Sequence, residues 1–236
     1  MLSILDIGHT RIKGLKLKNK ESKIENADFF NCPSSGISQI YSRIDGTSLF
    51  YASVFKEAES KLISLFPGAR RVSPRDIPME TEYNREHIGV DRLLCSFAAL
   101  LKYPGKAICI IDAGSFLTID IVKNNVHKGG YILPSYEKIL TPSVDAMDLK
   151  LTGLVDIKGL PRDTEDAVKN AAFLAIAQFI KYIAEENNLS LLILTGGFFE
   201  DKAMRSLFGE AVGKTIKFVY EPNLLFFGML ETIKRM

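Results

Sequence analysis

Residues 4 to 19 can be laid over residues 110 to 125, and this internal echo constrains the fold more than any other feature of the chain. The first segment reads ILDIGHTRIKGLKLKN and the second IIDAGSFLTIDIVKNN. Each opens on an apolar pair, continues with Asp-x-Gly and runs into a stretch rich in β-formers that ends in Lys and Asn. The pattern encodes a strand, a tight turn and a returning strand. Asp6 falls on Asp112 and Gly8 on Gly114. Two DxG strings arise readily by chance in a chain of this length. The shared apolar run before them and the shared strand pattern after them point to a duplicated unit.

Between and beyond the hairpins, strand and helix signals alternate. SLFYASVF (48–55) predicts a buried strand, and EAESKLISLF (57–66) a helix with apolar positions three and four apart. Residues 67–88, with Pro67, Pro74 and Pro78, read as loop with short extended pieces. GVDRLLCSFAALLKY (89–103) reads as an apolar helix stopped before Pro104-Gly105. KGGYILPS predicts a Gly-Gly turn and a short strand, and 136–162 is mixed. Residues 164–187 form the longest helix, capped by Asp163 or Thr164, with acids in its first turn. LSLLILTGG (189–197) is a buried strand ending in a Gly pair, KFVYEP a short strand, and NLLFFGMLETIKRM a closing helix. The sum is an α/β architecture of two related lobes, 1–105 and 106–236.

Composition narrows the class of function. Thirty basic against 28 acidic residues leave a net charge of +2, with no excess calling for nucleic acid or an anionic membrane. Cys32, Cys95 and Cys109 are an odd, widely spaced set, which fits reduced thiols and a cytoplasmic location. His9, His87 and His127 lack metal-ligand spacing. The N-terminus has no basic region before its apolar stretch, so no signal peptide is expected there. AAFLAIAQFI is broken by Gln178, so no transmembrane helix is expected either.

Glycine two residues after Asp at a hairpin tip lets backbone approach a ligand closely, since no Cβ stands in the way. A phosphate there meets backbone amides, the hydroxyls of Thr10, Ser115 or Thr118, and the point charge of Lys13. Asp6 and Asp112 facing phosphates then require a cation between them. One such hairpin alone is better explained by a turn-stabilising Asp. Two of them, plus the Gly pair after LLILT, favour phosphate binding. In GVDRLL, Asp91 and Arg92 open a helix. Either Asp91 complements the helix dipole and Arg92 is solvated, or Asp91 is a general base and Arg92 binds a substrate carboxylate or phosphate. GEAVGKT (209–215) has three residues between its glycines where a Walker A loop has four, and it lies in the wrong strand-helix order, so it reads as a helix terminus and turn. The Phe and Leu of NLLFFGML lie at helical spacing and read as core.

DIGHT with Lys13 resembles the first phosphate loop, and DAGSFLTID the second, of the actin-like ATPase and sugar kinase superfamily, whose adenosine motif looks like TGG at 195–197. That resemblance implies two ribonuclease H-like lobes with the nucleotide cleft between them. GVDR (89–92), YASV (51–54), GGYILPS (129–135) and the Thr164 segment together look like type III pantothenate kinase, the family that phosphorylates pantothenate to 4'-phosphopantothenate at the first step of coenzyme A biosynthesis. The resemblance implies ATP with Mg²⁺, a monovalent cation (K⁺ or NH₄⁺) and a homodimer. It assigns ATP binding to Asp6, Ile7, Gly8, His9, Thr10, Arg11, Ile12 and Lys13, with Ser115 on the second loop. Asp91 would take the proton of the substrate hydroxyl, and Tyr83, Gly89, Val90, Arg92 and Thr164 would border pantothenate. Asp112 would ligate the monovalent cation. Departures from the family pattern are His9 for Asn, Ser115 for Thr, Val90 for Ala and Ser135 for Gly, and Tyr83 stands one residue closer to Gly89 than is usual, without the usual Pro. The alternatives are another small-molecule kinase of the superfamily or a catalytically silent regulatory relative.

Overall fold

The computed structural model describes residues 1–44, 48–151, 155–213 and 216–236. In chain order the elements are β1 (Leu2–Ile7), β2 (Arg11–Leu17), β3 (Asp28–Pro33), α1 (Tyr41–Ile44), β4 (Ser48–Ser53), α2 (Lys56–Leu65), β5 (Arg70–Arg71), β6 (Glu80–Thr81) and α3 (Val90–Lys102). There follow β7 (Ile108–Ala113), β8 (Phe116–Lys123), β9 (Val126–Pro134), α4 (Tyr136–Met147), α5 (Thr164–Glu186), β10 (Leu191–Thr195), α6 (Lys202–Val212), β11 (Phe218–Tyr220) and α7 (Leu224–Ile233). The chain divides into two compact units: Met1–Pro104 with Asn125–Gly129 and Asn223–Met236, and Gly105–Asn124 with Gly130–Pro222.

In the first unit a five-stranded sheet runs in the order β3-β2-β1-β4-β5. β1 is antiparallel to β2 and parallel to β4, so hairpin and crossover lie on opposite sides of one central strand. β1 is buried at every position but Asp6, Ser3 included, as expected of a strand covered on both faces. One core gathers Leu5, Ile7, Ile12, Leu49, Tyr51 and Leu62. At roughly 1.5–3 kcal/mol for each large apolar side chain taken from water, such clusters hold the sheet and its helices together.

The second unit repeats the plan. β7 is antiparallel to β8 and parallel to β10, which is parallel to β11. β9 begins in residues of the first unit, where Val126 and His127 pair in parallel with Glu80 and Thr81 of β6. The echo is therefore architectural, but its ungapped overlay slips by one residue past the tip. Ile7 pairs with Ile12 across a four-residue gap, whereas Ala113 pairs with Leu117 across three.

Two sequence expectations change. Gly129 and Gly130 make no turn but lie inside the nine-residue strand β9. A Cβ on Gly130 would stand 1.8 Å from the Ile119 carbonyl oxygen, so this glycine serves close strand approach rather than reversal. The closing helix, counted by sequence in the lobe 106–236, packs in the first unit instead. There Leu224, Phe226, Met229, Leu230 and Ile233 are buried, and a Cβ on Gly228 would lie 2.2 Å from the Leu94 carbonyl oxygen of α3. A helix apolar on nearly all sides needs such a neighbour, and the glycine lets the two backbones touch.

α5 is long and apolar enough to cross a membrane by length and composition. Its Phe173, Ile176, Ala177, Ile180, Ile183 and Ala184 nevertheless belong to the second unit's core with Ile111, Ile119, Leu192 and Phe199, which makes it a core helix. Asp163 is its cap, accepting the Asp166 amide N–H at 2.8 Å. α6 ends at Val212 with Gly213 at φ 92, as a helix terminus and turn, while Lys214 and Thr215 of GEAVGKT lie outside the described residues.

Candidate active site

The first hairpin tip is built by backbone bonding. The Gly8 amide donates to the Arg11 carbonyl at 3.0 Å, closing a turn that carries His9 and Thr10 outward. Asp6 sits opposite Lys13 in the strand register, and Ile7 opposite Ile12, so the acid and base flank the tip. Ser34, which sequence reading missed, clamps this loop. Its hydroxyl donates to the Gly8 carbonyl at 2.7 Å, and its amide donates to the Thr10 carbonyl at 3.1 Å. Ser34 follows β3, three strands' length along the chain, and no local motif marks such a contact. Phe55 is a second omission: its ring lies 5.4 Å from that of His9.

Strand β4 carries the YASV segment beside this loop. The Val54 amide donates to the Ile7 carbonyl at 3.1 Å. The Tyr51 hydroxyl donates to Glu59 at 3.1 Å, and Arg71 reaches the same carboxylate at 3.2 Å. Burial, then the neighbouring Glu59 carboxylate, pushes the Tyr51 phenol up to about 12, so it stays a neutral donor across the working pH range.

Also in the first unit, Gly89 caps α3, and Val90 and Asp91 occupy its first turn. The Asp91 Oδ1 accepts the Arg92 amide at 2.9 Å. A Cβ on Gly89 would stand 2.4 Å from that same oxygen, so glycine leaves the carboxylate its room. Arg92 is only 6% exposed, with its guanidinium carbon 5.4 Å from the centre of the Tyr83 ring. Tyr83 and Arg92, 9 positions apart in the sequence, are thus brought together as a cation–π pair.

In the second unit, Asp112 lies at the end of β7, opposite Thr195 of β10. The Gly114 amide donates to the Phe116 carbonyl at 3.0 Å, and Ser115 is exposed at the tip. Gly196 of the TGG segment has φ 89 and ψ 164. A Cβ there would meet Asp112 Oδ1 at 2.5 Å and the Ala113 carbonyl oxygen at 2.6 Å. Glycine therefore lets the end of β10 lie directly against Asp112 and the Ala113 carbonyl, and the Asp112 carboxylate is a hard oxygen donor of the kind an alkali cation takes. Thr164 is exposed at the first position of α5. Among the described residues no group of three or more His, Cys, Asp or Glu side chains is gathered for a metal. A magnesium ion here fits one or two carboxylates with the remaining positions filled by phosphate oxygens and water.

Comparison with known proteins follows the same lines. The profile of a family described as Type III pantothenate kinase matches residues 4–186. A type III pantothenate kinase of Wolinella succinogenes is 29% identical over 191 residues, covering 80% of this chain and 81% of its own. Among solved structures, a conserved protein of Campylobacter jejuni described as a Baf family transcriptional activator aligns with a TM-score of 0.67 at 23% identity, over 99% of this chain and 98% of its own. An activator of 2-hydroxyisocaproyl-CoA dehydratase from Clostridium difficile, with bound ADPNP, aligns with a TM-score of 0.59 at 12% identity, over 99% of this chain and 94% of its own. The shared fold is that of the actin-like ATPases and sugar kinases.

Proposed function

The chain belongs to the type III pantothenate kinase family, and from that membership we propose that it transfers the γ-phosphoryl group of ATP to the primary hydroxyl of pantothenate with Asp91 as general base. The observation that carries the reading is the pairing, in one unit, of a first-turn carboxylate with a buried Arg92 covered by Tyr83. As the substrate oxygen bonds to the γ-phosphorus, the bond from phosphorus to the β,γ-bridging oxygen breaks, ADP leaves, and the hydroxyl proton passes to the Asp91 carboxylate. Arg92 suits the substrate carboxylate, because a desolvated guanidinium gains most from an anion it can meet with two N–H groups. Tyr83, Gly89 and Val90 wall that position, and the family resemblance assigns Thr164 to the same substrate.

Residues Asp6 to Lys13 hold the phosphates of ATP. Gly8 allows backbone approach, the exposed Thr10 offers a hydroxyl, and Lys13 offers a point charge; Ser115 does the same work at the second tip. Asp112 would hold the monovalent cation, and Mg²⁺ would share the phosphates with a loop carboxylate. When bound, these ions neutralise charge on the phosphate oxygens.

A coupled assay of ADP release, run with and without pantothenate, tests the activity. Release is expected only with pantothenate and Mg²⁺, and is expected to rise with K⁺ or NH₄⁺ over Na⁺. Asp112→Asn should flatten that monovalent response. Equal rates in all three salts for the unsubstituted enzyme would remove the cation from Asp112.

The same reading includes a homodimer through α5. Ala171, Ala175, Gln178 and Tyr182 are exposed at spacings of four, three and four, a stripe opposite the helix's buried face. Tyr131, 44% exposed, packs edge-on to Phe179 of this helix and extends the stripe. Light scattering at micromolar concentration should give twice the 26.3 kDa chain mass. A fully active monomer would exclude the dimer.

A further inference from the structure

We propose that Thr81 and His127 are positioning residues that set the Tyr83–Arg92 pair for the carboxylate end of the substrate; the inference rests on the pantothenate kinase reading and adds to it two residues that touch no substrate.

The segment bearing Tyr83 has little regular structure of its own. β6 is two residues long, and Glu82, Tyr83 and Asn84 are exposed. What holds it is a chain of contacts that begins in the interior. His127 is fully buried, and its Nδ1 lies 2.8 Å from the Thr81 Oγ1. That hydroxyl oxygen also accepts the Tyr83 backbone N–H at 3.0 Å. The two residues are register partners in the parallel pairing of β6 with β9, and the Glu82 amide donates to the His127 carbonyl at 2.9 Å. The Tyr83 ring then stands 6.4 Å from the His127 ring and 5.4 Å from the Arg92 guanidinium carbon. Gly129 lies beside the same ring, where a Cβ would make an ordinary contact at 3.6 Å from Tyr83 Cδ2.

The chemistry of the link explains the residue types. A threonine hydroxyl has one proton and two lone pairs, so Thr81 can accept from Tyr83 N–H while pairing with the His127 nitrogen in either tautomer. Valine has the same shape and does neither. Loosening this link frees the aromatic ring that covers Arg92, and a guanidinium without a fixed direction loses its bidentate geometry toward an anion. The other end of the segment is anchored separately, by Arg85 donating to the carbonyls of Pro74, Ile77 and Met79. Thr81 therefore governs the Tyr83 end and not the whole loop.

The test is steady-state kinetics with pantothenate and ATP varied in turn. Thr81→Val is expected to raise the pantothenate KM about five- to tenfold, the size expected for one lost hydrogen bond, with the ATP KM within about twofold of wild type. Thr81→Ser, which keeps the hydroxyl, should stay near wild type. His127→Leu should raise the pantothenate KM as Thr81→Val does, and His127→Asn, which places an amide near the former Nδ1, should stay near wild type and gives a second reading if His127→Leu fails to fold. An unchanged pantothenate KM in Thr81→Val, or an equal rise in both KM values, overturns the inference while leaving the kinase reading intact. Wild-type enzyme that releases no ADP with pantothenate overturns the kinase reading, and this inference with it.

Discussion

Replacing Asp91 by Asn is expected to lower kcat at least about 10²-fold while leaving unfolding temperature and ATP affinity nearly unchanged, because the substitution separates the two things a first-turn carboxylate can do. Structurally, Asp91 accepts the Arg92 amide at 2.9 Å through Oδ1, and an asparagine oxygen in the same place accepts it equally well. The favourable term between a negative charge and the helix dipole is lost, but for a partly exposed position it amounts to about 0.3–1 kcal/mol. Chemically, the amide cannot take the proton that the substrate hydroxyl gives up as it attacks phosphorus. A positioned base typically contributes 10²–10⁴ in rate to such a step. The coupled ADP-release assay reads kcat, and thermal unfolding reads the fold. A variant that keeps most of its pantothenate-dependent turnover would leave Asp91 with its helix-end role alone.

How much of this was legible in the sequence depends on the range over which each feature acts. The hairpins at Asp6 and Asp112 were legible because alternation, glycine and turn chemistry are local, and the structure pairs both as antiparallel strands. The start of α3 at Val90 was legible for the same reason. Gly129-Gly130 was misread as a turn because glycine marks both reversal and close approach, and only the Ile119 carbonyl on the neighbouring strand distinguishes them. Ser34 left no trace, since its value lies in two bonds to a loop more than twenty residues away. Nor did the return of α7 to the first unit, because an all-round apolar helix states that it needs a neighbour without stating which one. The same limit applies to Thr81 and His127, 46 positions apart, whose hydrogen bond exists only through the pairing of β6 with β9.

Gly196→Ala is expected to damage both the fold and the second phosphate loop, and Gly197→Ala, one residue on, to be tolerated by the fold. Gly196 holds φ 89 with ψ 164, a region open in practice only to glycine, and placing a side chain there costs about 1–3 kcal/mol. The new methyl would also stand 2.5 Å from Asp112 Oδ1 and 2.6 Å from the Ala113 carbonyl oxygen, and overpacking of this kind costs about 1–3 kcal/mol more. The carbonyl is backbone in a buried strand and cannot move cheaply, so the Asp112 carboxylate is the group that yields. Together these terms take roughly 2–6 kcal/mol from a stability that for most domains is about 5–15 kcal/mol. At about 2–4 °C per kcal/mol for a chain of this size, the unfolding midpoint should fall by at least about 4 °C. For Gly197 the same construction finds nothing within 4 Å of the added carbon, so its midpoint should move by less than about 2 °C. Whatever Gly196→Ala protein remains folded should show the flattened K⁺ response of Asp112→Asn, since the same carboxylate is displaced rather than neutralised. Equal midpoints for the two alanine variants would mean that Gly196 is not needed for the approach of β10 to Asp112.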